Sequence, residues 1–309
     1  MSSILNKVMI GSHPGGRPGA AVELAPEGVL AAVRRGGPKP GHSPEYAFVP
    51  LPAGALIAGI GEPNLRTPEV VVSAIRKALG DVSPRTRAVT VVLPDTAVRV
   101  FVLDFDSLPA RSAEVLPVLR FRLRKMVPFD VERAGLSYQM LAQNKTERKV
   151  LVAVLPGNIL AEYEGAVRAA GYEPGAVLPS SLAALETIDS MEAVLAAHLS
   201  GTALTTSITS GQDLLLHRVL DLPDDPGLRI SEVQRSIAVA AAYFEDKLQA
   251  RPRELRFAGA YDAQEFARWI DDPELNVVDF VPFAQAHQPG GEAWPTSVAG
   301  VTGALVGSR

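Results

Sequence analysis

Short runs of apolar residues and longer 3.6-residue stripes follow one another along this chain, and their order gives the elements. "AAVEL" (20–24) and "VLAAVR" (29–34) read as two short strands joined by "APEG", where Pro26 and Gly28 supply the break. "RRGGPKPGHSPE" (34–45) is a Gly- and Pro-rich loop, and "YAFVPL" is a third strand. "TPEVVVSAIRKALG" carries helix punctuation, with Thr67 as N-cap, Pro68 at the first helical position and Gly80 at the end. "AVTVVL" (88–93) is a buried strand, and "VRVFVLD" (98–104) alternates around Arg99 as a half-exposed one. A helix over 111–127 contains Pro117, which kinks it or marks the end of a preceding turn. "AGLSYQML" and "KVLVAVLP", separated by "AQNKTER", form a hairpin.

The second half repeats these rhythms. Gly171 closes a helix over 157–171, and a helix over 180–199 is capped by Ser180 or Ser181. Residues 202–209 and 212–220 pair around Gly211. Helix 229–248, strand 253–258, helix 262–270 and strand 275–281 follow, and "SVAGVTGALVGSR" is a small-residue helix packed closely against a neighbour. The sum is α/β with mixed sheets, divided near residues 178–200. Each half begins with a strand pair followed by a helix, the mark of a duplicated, two-lobed fold.

Composition narrows the function. With 309 residues the chain exceeds the size at which single cores begin to split. A formal charge of −4 offers no basic excess for a phosphate backbone, so nucleic acid is not an expected partner. The absence of cysteine removes disulfides, thiolate metal sites and cysteine nucleophiles together. Asn6 and Lys7 interrupt the only N-terminal apolar stretch, which reads against a signal peptide, and no run has the ~18–20 apolar residues of a spanning helix. The expected location is the cytoplasm.

The catalytic inventory is poor. His13, His42, His198, His217 and His287 show no metal-ligand spacing, so no metal is expected. No G-x-S-x-G elbow, P-loop or G-x-G-x-x-G turn occurs. "GSHPGGRPG" (11–19) reads as a flexible arm, because its prolines lack N–H donors for an anion. Asp104 with Asp106, and "LPDDPG" (222–227), read as turn chemistry. No catalytic residue is assigned.

From residue 93 to 141, "LPDTAVRVFVLDFDSLPARSAEVLPVLRFRLRKMVPFDVERAGLSYQML" resembles the PilM family, the actin-like proteins of type IV pilus assembly. Pro109, Pro128, Phe129 and Tyr138 stand at the places of that family's short motifs. The resemblance extends to 49–79, 149–185 and "VAGVTGALVG" (298–307), and so covers nearly the whole chain. It implies an actin-like (ribonuclease H-like, duplicated) fold: an arm at 1–18, a first lobe at 19–178 with an inserted docking subdomain at about 88–175, and a second lobe at 179–309. The implied partner is an inner-membrane assembly protein of the PilN type, bound through its short cytoplasmic N-terminal tail. Self-association stays open, and the implied place is peripheral to the inner membrane. The secretion protein GspL has a cytoplasmic part of similar architecture.

Family members usually bind ATP, and here the loops depart from the pattern. The first, an Asp-Ile-Gly-Ser-Ser type turn before "-KAVEL", aligns with His13-Pro14-Gly15-Gly16-Arg17. The second, Asp-Ile-Gly-Ala, is shortened to Ala203-Leu204-Thr205-Thr206, and the adenosine-side Gly-Gly reads Ala258-Gly259-Ala260. Gly15, Gly16, Thr205, Thr206 and Gly259 would be the remnants of a degenerate nucleotide cleft. Magnesium ATP is disfavoured, since phosphates need glycine-turn donors and the ion needs carboxylate-held waters. The alternatives are an active ATPase with altered loops and a diverged sugar or acyl kinase.

"LRFRLRKMVPFD" (119–130) reads as a helix ended by proline. Arg120 and Arg124 share a face at i, i+4 beside the stripe Leu119, Leu123 and Val127. One reading is a solvated basic face over a core stripe. The other is a border of the partner's groove, using Arg99, Arg120, Leu123 and Arg124, with strand 98–104 adding a partner strand if it lies at an edge.

Overall fold

The computed structural model describes residues 17–35, 44–109, 111–143, 148–211, 213–282, 288 and 294–306. In chain order the first elements are β1 (Ala20–Ala25), β2 (Gly28–Val33), β3 (Glu45–Pro50), α1 (Pro68–Val82), β4 (Ala88–Leu93) and a 3-10 turn at Asp95–Ala97. Then come β5 (Arg99–Phe105), α2 (Ser112–Leu123), β6 (Gly135–Gln143), β7 (Arg148–Leu155), α3 (Gly157–Ala169), β8 (Glu173–Pro179) and α4 (Ser180–Leu185). The remainder is β9 (Ala193–Ser200), β10 (Ala203–Ser210), β11 (Asp213–Asp221), α5 (Pro226–Leu248), β12 (Glu254–Ala258), α6 (Ala263–Ile270), β13 (Asn276–Asp279) and α7 (Ala299–Val306).

Two five-stranded sheets share one plan. The first runs β3-β2-β1-β4-β8 and the second β11-β10-β9-β12-β13. In each, the first three strands form an antiparallel meander, and the last two lie parallel to its first strand. The strand pair seen at the start of each half in the sequence belongs to this repeated meander. Strands β1 and β2 are buried at every position because helices cover both faces, which is why they read as continuous apolar runs. The second lobe has its own core, in which Phe257 stacks on Phe266 with ring centroids 3.9 Å apart.

The C-terminal helix returns to the first lobe. Val298, Ala299, Val301, Ala304 and Leu305 belong to the same core cluster as β1 and α1. A helix apolar on all sides must be enclosed, and the small residues of α7 let it approach α4 closely. A Cβ on Gly303 would stand 1.8 Å from the Ala183 carbonyl oxygen.

The third sheet, β5-β7-β6, is antiparallel and carries α2 on one face. It lies within the expected insert at 88–175, while β4 and β8, near the ends of that range, pair in the first sheet. Strand β5 is an edge of the small sheet. Phe101, Leu103 and Phe105 pack with the α2 core, while Val100 and Val102 pack toward the first-lobe core.

Three element readings need correction. The helix expected over 180–199 is only α4, and residues 193–200 form β9. "AVLAAHLS" has good helix formers, but a central strand between two neighbours selects small apolar residues too, and that context overrides propensity. Helix α1 runs past Gly80 to Val82, with Ser83 in the left-handed region at φ 47°. Helix α2 stops at Leu123, so Arg124 is its C-cap rather than an interior residue.

Candidate functional site

The hairpin turns of the two meanders meet between the lobes. Pairing of Ala25 with Gly28 leaves Pro26-Glu27 as the first turn, and pairing of Ser200 with Ala203 leaves Gly201-Thr202 as the second. Glu23 stands two residues before the closing pair in β1, and His198 two residues before it in β9. The two side chains therefore occupy equivalent places in the two lobes. Both line an interlobe cavity of about 650 Å³ that also takes in Pro26, Ile57, Gly201 and Asp224.

One wall of the cavity comes from the 51–67 segment. Buried Asn64 holds it: its Oδ1 accepts from the Gly59 N–H at 3.0 Å and from the Tyr163 hydroxyl at 2.9 Å, and its Nδ2 donates to the Gly59 and Glu62 carbonyls. The Glu162 carboxylate accepts from the Asn64 and Leu65 N–H groups at 2.8 and 2.7 Å. A segment with little secondary structure is fixed in this way where it borders the cavity.

Below the cavity lies a buried polar cluster. Asp95, on the turn after β4, accepts from the Ser181 N–H at 3.1 Å, the Ser181 hydroxyl at 2.8 Å and the Thr205 hydroxyl at 2.9 Å. His198 Nδ1 lies 3.4 Å from its other side. One first-lobe carboxylate thus ties α4 and two strands of the second sheet. Glu23 accepts from the Ser180 hydroxyl at 2.5 Å. Its Oε2 and His198 Nε2 are buried without a hydrogen-bond partner among the described residues.

The environment shifts each group. Burial pushes the Glu23 carboxyl up to about 7, against the opposing pull of Ser180 and His198. Burial would also raise Asp95, but His198, His217 and Ser181 outweigh it and hold the carboxyl below its ordinary value. Burial would lower His198, yet Asp95 and Glu23 raise it. His217, whose Nδ1 lies 3.1 Å from the Ser207 hydroxyl, is pushed down to about 4 by burial. Asp95 is thus held toward its anion and His198 toward its cation, beside a carboxyl that takes up its proton near neutrality.

Around the cavity the charge is acidic. Its lining contains Glu23, Asp224 and His198 but neither lysine nor arginine. The first turn contributes no glycine, and Pro26 has no N–H. The Glu27 carboxylate reaches across to the second turn, so that a Cβ on Gly201 would come within 2.5 Å of Glu27 Oε1. Gly201, at φ 45°, is free to hold that turn. Arg229 borders the adjoining space and donates to the Pro223 and Gly201 carbonyls at 3.1 and 3.3 Å. Among the described residues no group of three His, Asp or Glu side chains is arranged to hold a metal ion.

The residues singled out in the sequence fall elsewhere. Gly15 and Gly16 lie outside the described residues, and the turn that faces the cavity is Pro26-Glu27, later in the chain than expected. Thr205 and Thr206 are buried in the middle of β10 rather than in a shortened loop, and the loop itself is Gly201-Thr202. Gly259 follows β12 beside a cavity of about 130 Å³ shared with Tyr261 and Trp294. Arg99 donates to the Thr96 and Val98 carbonyls at 3.2 and 3.3 Å. Arg120 holds the Val131 and Ala134 carbonyls, Arg124 pairs with Glu132 at 2.6 Å, and Leu123 is fully buried. Those four residues do not form one surface. Sequence reasoning passed over Glu23, Asp95 and His198. The available signal was a lone ionisable side chain inside, or just after, an otherwise apolar strand.

No family model matches the chain, and no curated protein matches it. Solved structures do. The PilM-PilN type IV pilus biogenesis complex is similar over 93% of this chain and 96% of that chain, at 17% identity and a TM-score of 0.70. The cytoplasmic domain of EpsL, an inner-membrane component of the type II secretion system of Vibrio cholerae, is similar over 77% and 81%, at 14% identity and a TM-score of 0.49. The ethanolamine utilization protein EutJ from Carboxydothermus hydrogenoformans is similar over 96% and 93%, at 10% identity and a TM-score of 0.48. Among the described residues no helix is long and apolar enough to cross a membrane. With its repeated five-stranded sheets meeting at a cleft and its three-stranded insert, the chain has an actin-like fold of the PilM type.

Proposed function

We propose that this chain is a cytoplasmic scaffold of a type IV pilus or type II secretion-like assembly, with a nucleotide cleft that has lost its phosphate chemistry. The contact between the two cleft turns carries the second part. Glu27 sets a carboxylate against Gly201, between the turns that would have to flank a phosphate chain. Glu23 and Asp224 add acidic groups to a lining without lysine or arginine, and like charges in a partly enclosed space repel strongly. Two equivalent acids facing one another would call for a bound cation, but here an imidazole stands opposite a carboxyl and the pair needs none. The protein's own groups hold the lobes together where a ligand otherwise would.

The partner reading rests on the likeness to the PilM-PilN complex and on the insert. Strand β5 pairs with β7 on one side and has no sheet partner on the other among the described residues. An extended tail can add there as a further strand, with Arg99 at the strand's start meeting acidic groups on it. The inner-membrane partner would then hold the chain at the membrane, peripheral to it.

Thermal melting with millimolar magnesium ATP tests the cleft. A ligand at 100 times its Kd adds about 2.7 kcal/mol, so binding is easily seen. No shift is expected, and a shift of several degrees would restore the ATPase reading. A pull-down from native membranes tests the partner. Recovery of a single-span protein with a short cytoplasmic tail, weakened by Arg99→Glu, is expected, and recovery of no membrane protein at all would overturn the scaffold reading.

A further inference from the structure

Helix α2 presents a surface that the tail-binding reading leaves unused. At roughly 100° per residue, Phe121 lies on the far side of the helix from Leu119 and Leu123, which are fully buried. Phe121 is 69% exposed, and Met126, in the turn that follows the helix, is 40% exposed. Arg122 and Lys125 flank them, both exposed. Nearby charges are largely spoken for: Arg111 pairs with Glu114, Arg124 with Glu132 and Arg133 with Asp130. Arg122 and Lys125 make no ion pair among the described residues. They form a local cationic excess on a chain of net charge −4.

We propose that this corner of the insert docks directly on an anionic phospholipid surface, with Phe121 and Met126 entering the headgroup boundary and Arg122 and Lys125 meeting lipid phosphates. An acidic peptide could meet the cations as well, but the shape argues for lipid. Phe121 projects from the outward face of α2, 69% exposed, and no α2 residue lines the interlobe cavities. A projecting aromatic ring needs a medium that deforms around it, whereas a folded or extended protein partner needs a concavity to exclude water. An aromatic side chain beside lysine and arginine is the chemistry of an interfacial anchor. Two cations and one ring give weak, reversible binding, suited to orienting a protein that a partner tail already holds nearby. This inference does not depend on the identity of that partner.

The test is flotation of the purified full chain with protein-free vesicles, either rich in phosphatidylglycerol or made only of phosphatidylcholine. Binding to the anionic vesicles alone is expected, and it should disappear near 1 M salt, where the Debye length is about 3 Å. Arg122→Glu/Lys125→Glu should lower the partition coefficient by about 25-fold or more, from roughly fivefold per cation. Phe121→Ala should lower it by about tenfold. Lys77→Glu/Arg85→Glu, the same charge change placed on the first lobe, should leave most of the binding. Thermal melting checks that each variant folds. No flotation of the parent chain, equal binding to both vesicles, or equal loss in the first-lobe control would each overturn the proposal.

Discussion

The two five-stranded sheets share strand order and hairpin geometry, yet what they place at equivalent positions has diverged. β1 brings Glu23 to the cleft and β9 brings His198. The first turn carries Pro26 and Glu27 where the second carries Gly201 and Thr202. β4 runs on to Asp95, whereas β12 runs on to Gly259. In a duplicated fold the equivalent residues converge on the same cleft, so identical acids there would need a counter-ion supplied from outside. Replacing one acid by an imidazole makes the interface self-neutralising. One topology can therefore carry different side chains at its two equivalent positions, and here they place buried polar groups between the lobes.

The sharpest way to break this comparison is Asp95→Ala. It strips the acceptor from the Ser181 N–H, the Ser181 and Thr205 hydroxyls and His198 together, leaving buried donors and the imidazole without their carboxylate partner. A loss of about 3–5 kcal/mol in urea-induced unfolding is expected. A loss under 1 kcal/mol would mean that the cluster does not hold the lobes.

Next in size is Gly303→Ala. The new methyl meets the backbone of α4, which cannot rotate away as a side chain can, so about 1–3 kcal/mol of destabilisation is expected. Gly165→Ala, on α3, has open space and should be neutral or stabilising in the same assay.

The pH profile sharpens the acid–imidazole contrast. Between its ordinary 4.5 and about 7, Glu23 holds a proton in the folded chain that the unfolded chain has released, so its contribution falls as pH rises. His217 runs the other way: between about 4 and 6.5 only the unfolded chain carries its proton, and stability rises with pH. His198, raised above 6.5, contributes stability that is lost as pH climbs through its folded value. Asp95, held low, contributes stability that is lost as pH falls below 3.8. The expected profile is nearly level from 4.5 to 6.5 and falls above that, with a slope of up to about 1.4 kcal/mol per pH unit for each proton difference. Glu23→Gln should turn the level stretch into a rise. An unchanged profile in that variant would show that Glu23 does not titrate in this window.

The smallest effect belongs to the surface. Arg124→Ala removes a solvent-exposed pair with Glu132 and should cost about 0.5 kcal/mol or less, within reach only of careful equilibrium unfolding.

Strands such as "AVTVVL" and helices such as "TPEVVVSAIRKALG" were legible because periodicity and punctuation agreed. The repeated strand-pair-and-helix rhythm suggested two lobes, while the actin-like fold and the insert were implied by the resemblance carried by the motifs of residues 93–141. "AVLAAHLS" was not legible, since alanine and leucine favour a helix locally and only the neighbouring strands decide otherwise. That misreading also hid His198, which read as one scattered histidine until β9 brought it beside Asp95. Glu23 and Asp95 are distant in sequence from each other and from His198, and nothing local records that they meet. Arg120 and Arg124 show the opposite failure: their spacing is visible at once, but the loop carbonyls and the carboxylate that take up their donors lie further along the chain.

The return of α7 to the first lobe has a consequence for how the protein is made. A core that joins Ala20 to Leu305 cannot be completed until Leu305 has been synthesised, however early its own strands emerge. The second lobe, whose core residues lie between Leu195 and Leu275, can condense by itself as a uninterrupted stretch. Vectorial synthesis thus favours an order the sequence does not suggest, with the later lobe able to fold first and the earlier one waiting for α7.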